Sequence, residues 1–146
     1  MSGWFRFTVF AVLGLCIAVV DFRTQKIPNV LLLAMLSALL AADLLGDFKM
    51  IPYRLLAGLG AYWLFYMVYR LRGGLGYGDV KYAGVIGYYL GPGLVINGLL
   101  YAVLLGLTYW CVGYLIFRWS KEQRFPFGPW LSCGAVAAGL LYQSMP

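Results

Sequence analysis

The stretch GGLGYGDVKYAG, residues 73–84, breaks a chain otherwise made of long apolar runs. Gly73, Gly74, Gly76 and Gly78 lead into Asp79 and Lys81. Glycine is a poor helix former, and charge is expensive near hydrocarbon. The stretch therefore separates two helices and puts a carboxylate at the start of the second. Working outward, six apolar runs emerge, at about 4–20, 29–45, 52–69, 80–91, 93–117 and 129–145. Of the 146 residues, 63% are hydrophobic and only 11% charged, far from the balance of a soluble domain. A spanning helix needs roughly 20 apolar residues, so about six spans fit and little chain is left over. The expectation is an all-α, polytopic integral membrane protein in which residues 1–146 form one transmembrane domain. The first run lacks a basic leader and an A-x-A-like cleavage site, so it is read as a retained helix.

The charges alternate by side. Arg23, Lys26, Arg70, Arg72, Lys81, Arg118, Lys121 and Arg124 fall on one side of the runs, against Arg6, Lys49 and Arg54 on the other. By the positive-inside rule the first group is cytosolic and both termini lie outside the cytosol. The net charge of +6 does not suggest nucleic acid, because the basic residues are scattered singly and form no patch. Histidine is absent, and Cys16, Cys111 and Cys133 have no ligand spacing, so neither a metal nor another cofactor is expected. The three cysteines read as buried small hydrophobes.

The fourth run, Val80 to Gly91, has 12 residues. As helix it covers roughly 18 Å, well short of the hydrocarbon thickness. Irregular backbone at membrane depth needs protein or a water-filled cavity around it, so the short run hints at a wet cavity on the cytosolic side. The GPG at 91–93 marks the turn to the fifth helix. Gly87 with Gly91, Gly134 with Ala138 and Ala135 with Gly139 form small-residue pairs suited to close helix packing. Asn97 is expected to bond a neighbouring helix.

Only five residues are acidic. Asp43 and Asp47 read as solvated surface, and Glu122 as a loop charge. Asp79 would open the fourth helix, where capping by itself could explain it. Asp21 has no such local reason. It closes the first helix, in CIAVVDF, where the helix dipole disfavours an anion. A salt bridge to Arg23 or Lys26 would be a structural explanation, and a functional carboxylate the sharper one. Two carboxylates sharing a site repel each other, so the pair holds a single proton. Its ionised member can take a proton from water while its protonated member polarises a scissile carbonyl. The pair titrates as a unit, so neither is assigned as acid or base. With no histidine present, a serine triad or an imidazole-activated cysteine is not available.

The neighbouring residues admit two readings each. Pro28 and Asn29 suit a helix start, with Asn29 as a cap. Lys26 and Lys81 could snorkel at the boundary, or tune the carboxylates and hold substrate. Gly76 and Gly78 allow another backbone, such as an extended substrate, to come close. FPFGPWL, 125–131, with Pro126, Gly128 and Pro129, either lines the same cavity or starts the sixth helix.

Three elements carry a resemblance: DFRTQKIPN at 21–29, GYGDVK at 76–81 and PFGP at 126–129. Together and in this order they resemble the type IV prepilin peptidases and the related preflagellin peptidases, GxGD-type aspartic proteases of the membrane. The resemblance implies Asp21 and Asp79 as catalytic residues, with Lys26, Pro28, Asn29, Gly76, Gly78, Lys81, Pro126, Gly128 and Pro129 binding substrate or supporting the site. It also implies removal of a short basic leader from prepilin or pseudopilin substrates at the cytosolic face of the cell inner membrane. Lipid and that substrate are the partners implied. Many bacterial members carry a loop of paired, zinc-binding cysteines associated with N-methylation. This chain has no such pairs and resembles the short, peptidase-only members, so no methyltransferase domain is expected. Presenilin-like proteases share the GxGD element, but KIPN and PFGP fit them poorly. The competing class is a small transporter or channel subunit with Asp21 as a proton site. Such sites usually lie near the bilayer midplane, whereas both acids map to one edge.

Overall fold

In the computed structural model the described residues are 2–46, 48–72, 75–116 and 126–144. They form six α-helices: α1 (Ser2–Thr24), α2 (Asn29–Leu45), α3 (Ile51–Arg72), α4 (Tyr77–Leu90), α5 (Val95–Ile116) and α6 (Gly128–Ser144). One 3₁₀ turn, Phe48–Met50, joins α2 to α3. Each helix covers one of the six apolar runs. Asp47, Arg118, Lys121, Glu122 and Arg124, read above as solvated or boundary charges, lie outside the described residues.

The helices run up and down. The end of α1 meets the starts of α2, α4 and α6, through contacts among Asp21, Ile27, Asn29, Gly78, Lys81 and Gly128. At the opposite end Arg6, Asp43, Arg54 and Tyr88 come together, and Gln143 bonds the carbonyl of Gly3. Among the described residues, Arg23, Lys26, Arg70, Arg72 and Lys81 thus belong to the first end and Arg6, Lys49 and Arg54 to the second.

The short fourth helix is the central one. Its Val80, Tyr82, Ala83, Val85, Ile86, Tyr88 and Tyr89 are all buried, so apolar residues occur all round it, as they must when neighbours cover every face. It packs most closely on α3, where small residues bring the backbones together. A Cβ on Gly87 would sit 2.6 Å from the carbonyl oxygen of Ala57, and one on Gly58 2.9 Å from that of Gly84. Gly134 brings α6 against α5 in the same way, 2.6 Å from the carbonyl of Gly98. Gly91 serves the turn and not the packing, since its φ of 72° and ψ of −179° suit glycine almost exclusively.

Two helices, over Gly3–Thr24 and Val95–Ile116, are long and apolar enough to cross a membrane. Only 28% and 22% of their apolar windows are buried, whereas the core helix of a soluble protein would be mostly covered. Large apolar side chains point outward all round the bundle, among them Leu15, Phe22, Leu33, Leu56, Trp63, Ile96 and Leu107.

Several expectations need correction. Asp43 is not solvated: it is fully buried, 3.1 Å from Arg6, paired with Arg54, and 2.8 Å from the Tyr88 hydroxyl that donates to it. Its partners come from three other helices, which local sequence does not reveal. Cys16 and Cys133 are exposed and Cys111 is half-buried, because they lie on faces turned away from the bundle. Asn97 is exposed in the first turn of α5 and makes no side-chain bond to another helix among the described residues. It therefore fills no packing role of the kind expected.

Candidate active site

Asp21 lies in the last turn of α1, which continues to Thr24, beyond the end expected from the apolar run. Gln25 then turns the chain with φ 53°, and its N–H donates to the Asp21 carbonyl at 2.8 Å. This single bond from a left-handed residue is an αL stop for the helix. The side chain of Asp21 is buried, with 4% exposure. Its Oδ2 accepts a hydrogen bond of 3.0 Å from the N–H of Gly128, the first residue of α6. Free N–H groups and the positive end of the dipole make a helix N-terminus a good anion partner. The acid disfavoured at the end of its own helix is thus compensated by the start of another. Among the described residues no ion pair joins Asp21 to Arg23 or Lys26.

Asp79 does not open α4. The helix begins two residues earlier, at Tyr77, with Gly76 as its N-cap. From the third helical position Asp79 reaches back, and its Oδ2 accepts the Gly76 N–H at 3.1 Å. Asp79 is also buried, at 8% exposure, and the Gly78–Ile27 and Lys81–Asn29 contacts put its segment beside the one that follows Asp21. Two desolvated carboxylates from helices far apart in sequence therefore share one end of the bundle. Each is held by a backbone N–H at a helix start.

The three motifs interlock. Pro28, extended at φ −67° and ψ 125°, is the N-cap of α2. Asn29 follows it as the first helical residue, and its Oδ1 accepts a 3.0 Å hydrogen bond from Lys81 Nζ instead of capping α2. The Lys81 ammonium also lies 4.9 Å above the Tyr77 ring. Lys26 is exposed. The space left by Gly78 is filled by Ile27, whose Cβ would lie 3.1 Å from an added one. The space beside Gly76 is taken by the Asp79 carboxylate itself, 3.0 Å away. Both glycines thus admit parts of this chain where an approaching substrate had been expected. A Cβ on Gly128 would meet Asp21 Oδ2 at 2.7 Å, so only glycine lets the α6 backbone reach the carboxylate. Pro126 and Pro129 flank this contact, half-buried, with Pro129 in the first turn of α6 where no N–H is needed.

An apolar groove of about 470 Å³ runs between α2 and α3 across α4. Asn29 and Lys81 stand at the end nearest Asp79, and Leu33, Leu36, Leu59 and Tyr88 line its length.

Two groups of polar residues were not anticipated. Tyr62, Tyr66, Tyr69 and Tyr77 form a run of ring contacts beside α4, with the Tyr62 and Tyr77 hydroxyls 2.9 Å apart. The spacing 62, 66, 69 on one helix face was the available signal. One turn beyond Asp79, Tyr82 is fully buried with its hydroxyl 2.7 Å from Ser132 Oγ. Nothing in the local sequence pairs these two.

The chain matches the type IV leader peptidase family over residues 8–111, a range that holds Asp21 and Asp79 and stops before Pro126. It is 34% identical over 143 residues to the prepilin leader peptidase/N-methyltransferase of Bacillus subtilis, covering 97% of this chain and 57% of that protein. Against the protein of the same name from Dickeya chrysanthemi the identity is 35% over 131 residues, covering 86% and 46%. Against leader peptidase HopD of Salmonella typhimurium it is 32% over 146 residues, covering 89% and 88%. The chain thus spans about half the length of the two prepilin leader peptidase/N-methyltransferases. No solved structure matches.

Proposed function

The chain belongs to the type IV leader peptidase family, and from that premise we propose that it is an intramembrane aspartic endopeptidase that removes the leader from prepilin-like substrates. The observation that supports this reading is that Asp21 and Asp79, both buried and each held by a backbone N–H at a helix start, lie at the same end of the bundle. In the proposed reaction the pair shares one proton. The ionised carboxylate takes a proton from water, and the resulting hydroxide equivalent adds to the scissile carbonyl carbon. The protonated carboxylic acid gives its proton to the carbonyl oxygen. Collapse of the tetrahedral intermediate breaks the C–N bond. The protonated carboxyl gives its proton to the departing amine while the other carboxylate takes one from a hydroxyl of the intermediate, which restores the single-proton state, so the net reaction is addition of one water.

Supporting roles follow from contacts. Gly128 and Gly76 hold the two carboxylates through their N–H groups. Gly78, Pro28 and Asn29 keep the KIPN and GYGD segments together, with Lys81 bridging them through Asn29. Pro126 and Pro129 set the backbone around Gly128, and Lys26 and Lys81 offer cationic groups to the substrate segment. The outward apolar surface and the two long apolar helices support a bilayer setting with six spans. The basic residues beside Asp21 and Asp79 favour placing that end in the cytosol, in the inner membrane, with both termini outside. The chemistry needs no metal.

The test is cleavage of a prepilin in detergent by the wild type, Asp21→Asn and Asp79→Asn. Each substitution should lower kcat about 1,000-fold or more, as removal of a group that acts in the chemical step does. Substantial activity in either variant would overturn the two-aspartate mechanism.

A further inference from the structure

Beneath the two carboxylates lies a buried hydroxyl pair that the proposed reaction does not use. Tyr82 sits on α4, three residues after Asp79, and is completely buried. Ser132 sits on α6, four residues after Gly128, and is 5% exposed. Their oxygens are 2.7 Å apart. Ser132 Oγ also lies 3.1 Å from the carbonyl oxygen of Gly128 and 3.1 Å from that of Gly14 on α1. A Cβ on Gly14 would come within 3.3 Å of the tyrosine oxygen, so glycine there makes room for it. The ring of Tyr82 lies nearly parallel to that of Phe10 on α1, with centroids 6.4 Å apart.

The protons can be counted. The two carbonyls only accept, and each hydroxyl has one proton to give. The arrangement that uses both has Tyr82 donating to Ser132 Oγ and Ser132 donating to a carbonyl of α1 or α6. With Ser132 donating to the Gly14 carbonyl of α1, one pair of hydroxyls ties together three helices. These are α1 with Asp21, α4 with Asp79, and α6 with the N–H that holds Asp21.

We propose that Tyr82 and Ser132 are positioning residues for the two aspartates, their hydroxyl pair setting how far α4 stands from α1 and α6 where the carboxylates meet. The inference rests on the two-aspartate reading above. Neither hydroxyl touches substrate or water in the reaction. Its effect is on geometry, and a misplacement of about 1 Å can cost on the order of 100-fold in rate.

The experiment is steady-state cleavage of a prepilin in detergent by the full chain carrying Tyr82→Phe, Ser132→Ala or both, alongside Asp21→Asn. Tyr82→Phe removes one oxygen and leaves Ser132 its carbonyl acceptors. The expected result is a kcat lowered about 10- to 100-fold with KM within about twofold of wild type, and a double variant no worse than the poorer single one. A purely structural role would reduce the folded fraction and leave the kcat of the folded enzyme unchanged. A folded Tyr82→Phe enzyme with kcat within about twofold of wild type would overturn the proposal. So would losses that multiply in the double variant. Should Tyr82→Phe fail to fold, Ser132→Ala carries the same comparison. An active Asp21→Asn enzyme would instead sink the two-aspartate reading. A dead Asp21→Asn enzyme beside an unimpaired Tyr82→Phe enzyme would sink the positioning role and nothing else.

Discussion

The contact between Asp21 and Gly128 joins two residues that are 107 positions apart. Asp21 stood out in the sequence because a carboxylate in the last turn of a helix opposes the helix dipole. What relieves it came into view only with the N-terminus of α6 docked against it. Gly128 could be read as a helix start or as part of a site; it is the first residue of α6, and its N–H donates to Asp21. Replacing it tests the contact directly. In Gly128→Ala the new Cβ would fall 2.7 Å from Asp21 Oδ2, so the carboxylate or the start of α6 has to shift. Prepilin cleavage by this variant should fall about 100-fold, with the protein still folded by circular dichroism. The glycines of GYGD carry a different lesson. Their missing side chains could admit substrate or another part of the chain, and Ile27 and the Asp79 carboxylate occupy those spaces.

At the level of elements, α4 decides the architecture. It is short, and its buried residues face every neighbour, so it fills the middle of the bundle with a carboxylate near one end and Tyr88 near the other. The end away from the aspartates is fastened by Asp43 of α2, which meets Arg6 of α1, Arg54 of α3 and the Tyr88 hydroxyl of α4. Removing one member of a buried ion cluster leaves the others desolvated without a counter-charge, a loss of about 3–5 kcal/mol. Asp43→Ala should therefore lower the thermal unfolding midpoint in detergent by several degrees, far more than Gly128→Ala does. Its activity should fall only as the folded fraction falls, because the cluster lies at the opposite end from Asp21 and Asp79. The sequence could not reveal this cluster. Arg6 and Arg54 lie in other helices, and an acid near the end of an apolar run resembles a solvated boundary residue.

For the whole molecule, the proposed orientation, with the end that holds Asp21 and Asp79 in the cytosol, has a direct test. In a background without Cys16, Cys111 and Cys133, a cysteine at Arg23 should be protected from a membrane-impermeant thiol reagent in intact cells, and one at Lys49 should be labelled. The reverse pattern would invert the orientation. Six helices, their approximate extents and their alternation were legible in the sequence, because a long apolar segment must satisfy its backbone internally and helix is the local way to do so. The three segments that meet at one end stood out too, since glycine, proline and acid are conspicuous where the local pattern calls for apolar helix formers. Contacts between distant segments were not legible. The tertiary structure alone joined Gly128 to Asp21, Ile27 to Gly78, Asp43 to its arginines and Tyr82 to Ser132, and left Cys16 and Cys133 exposed. Helix formation follows from neighbours along the chain, whereas the partner of a buried polar group is chosen by which helix faces pack together.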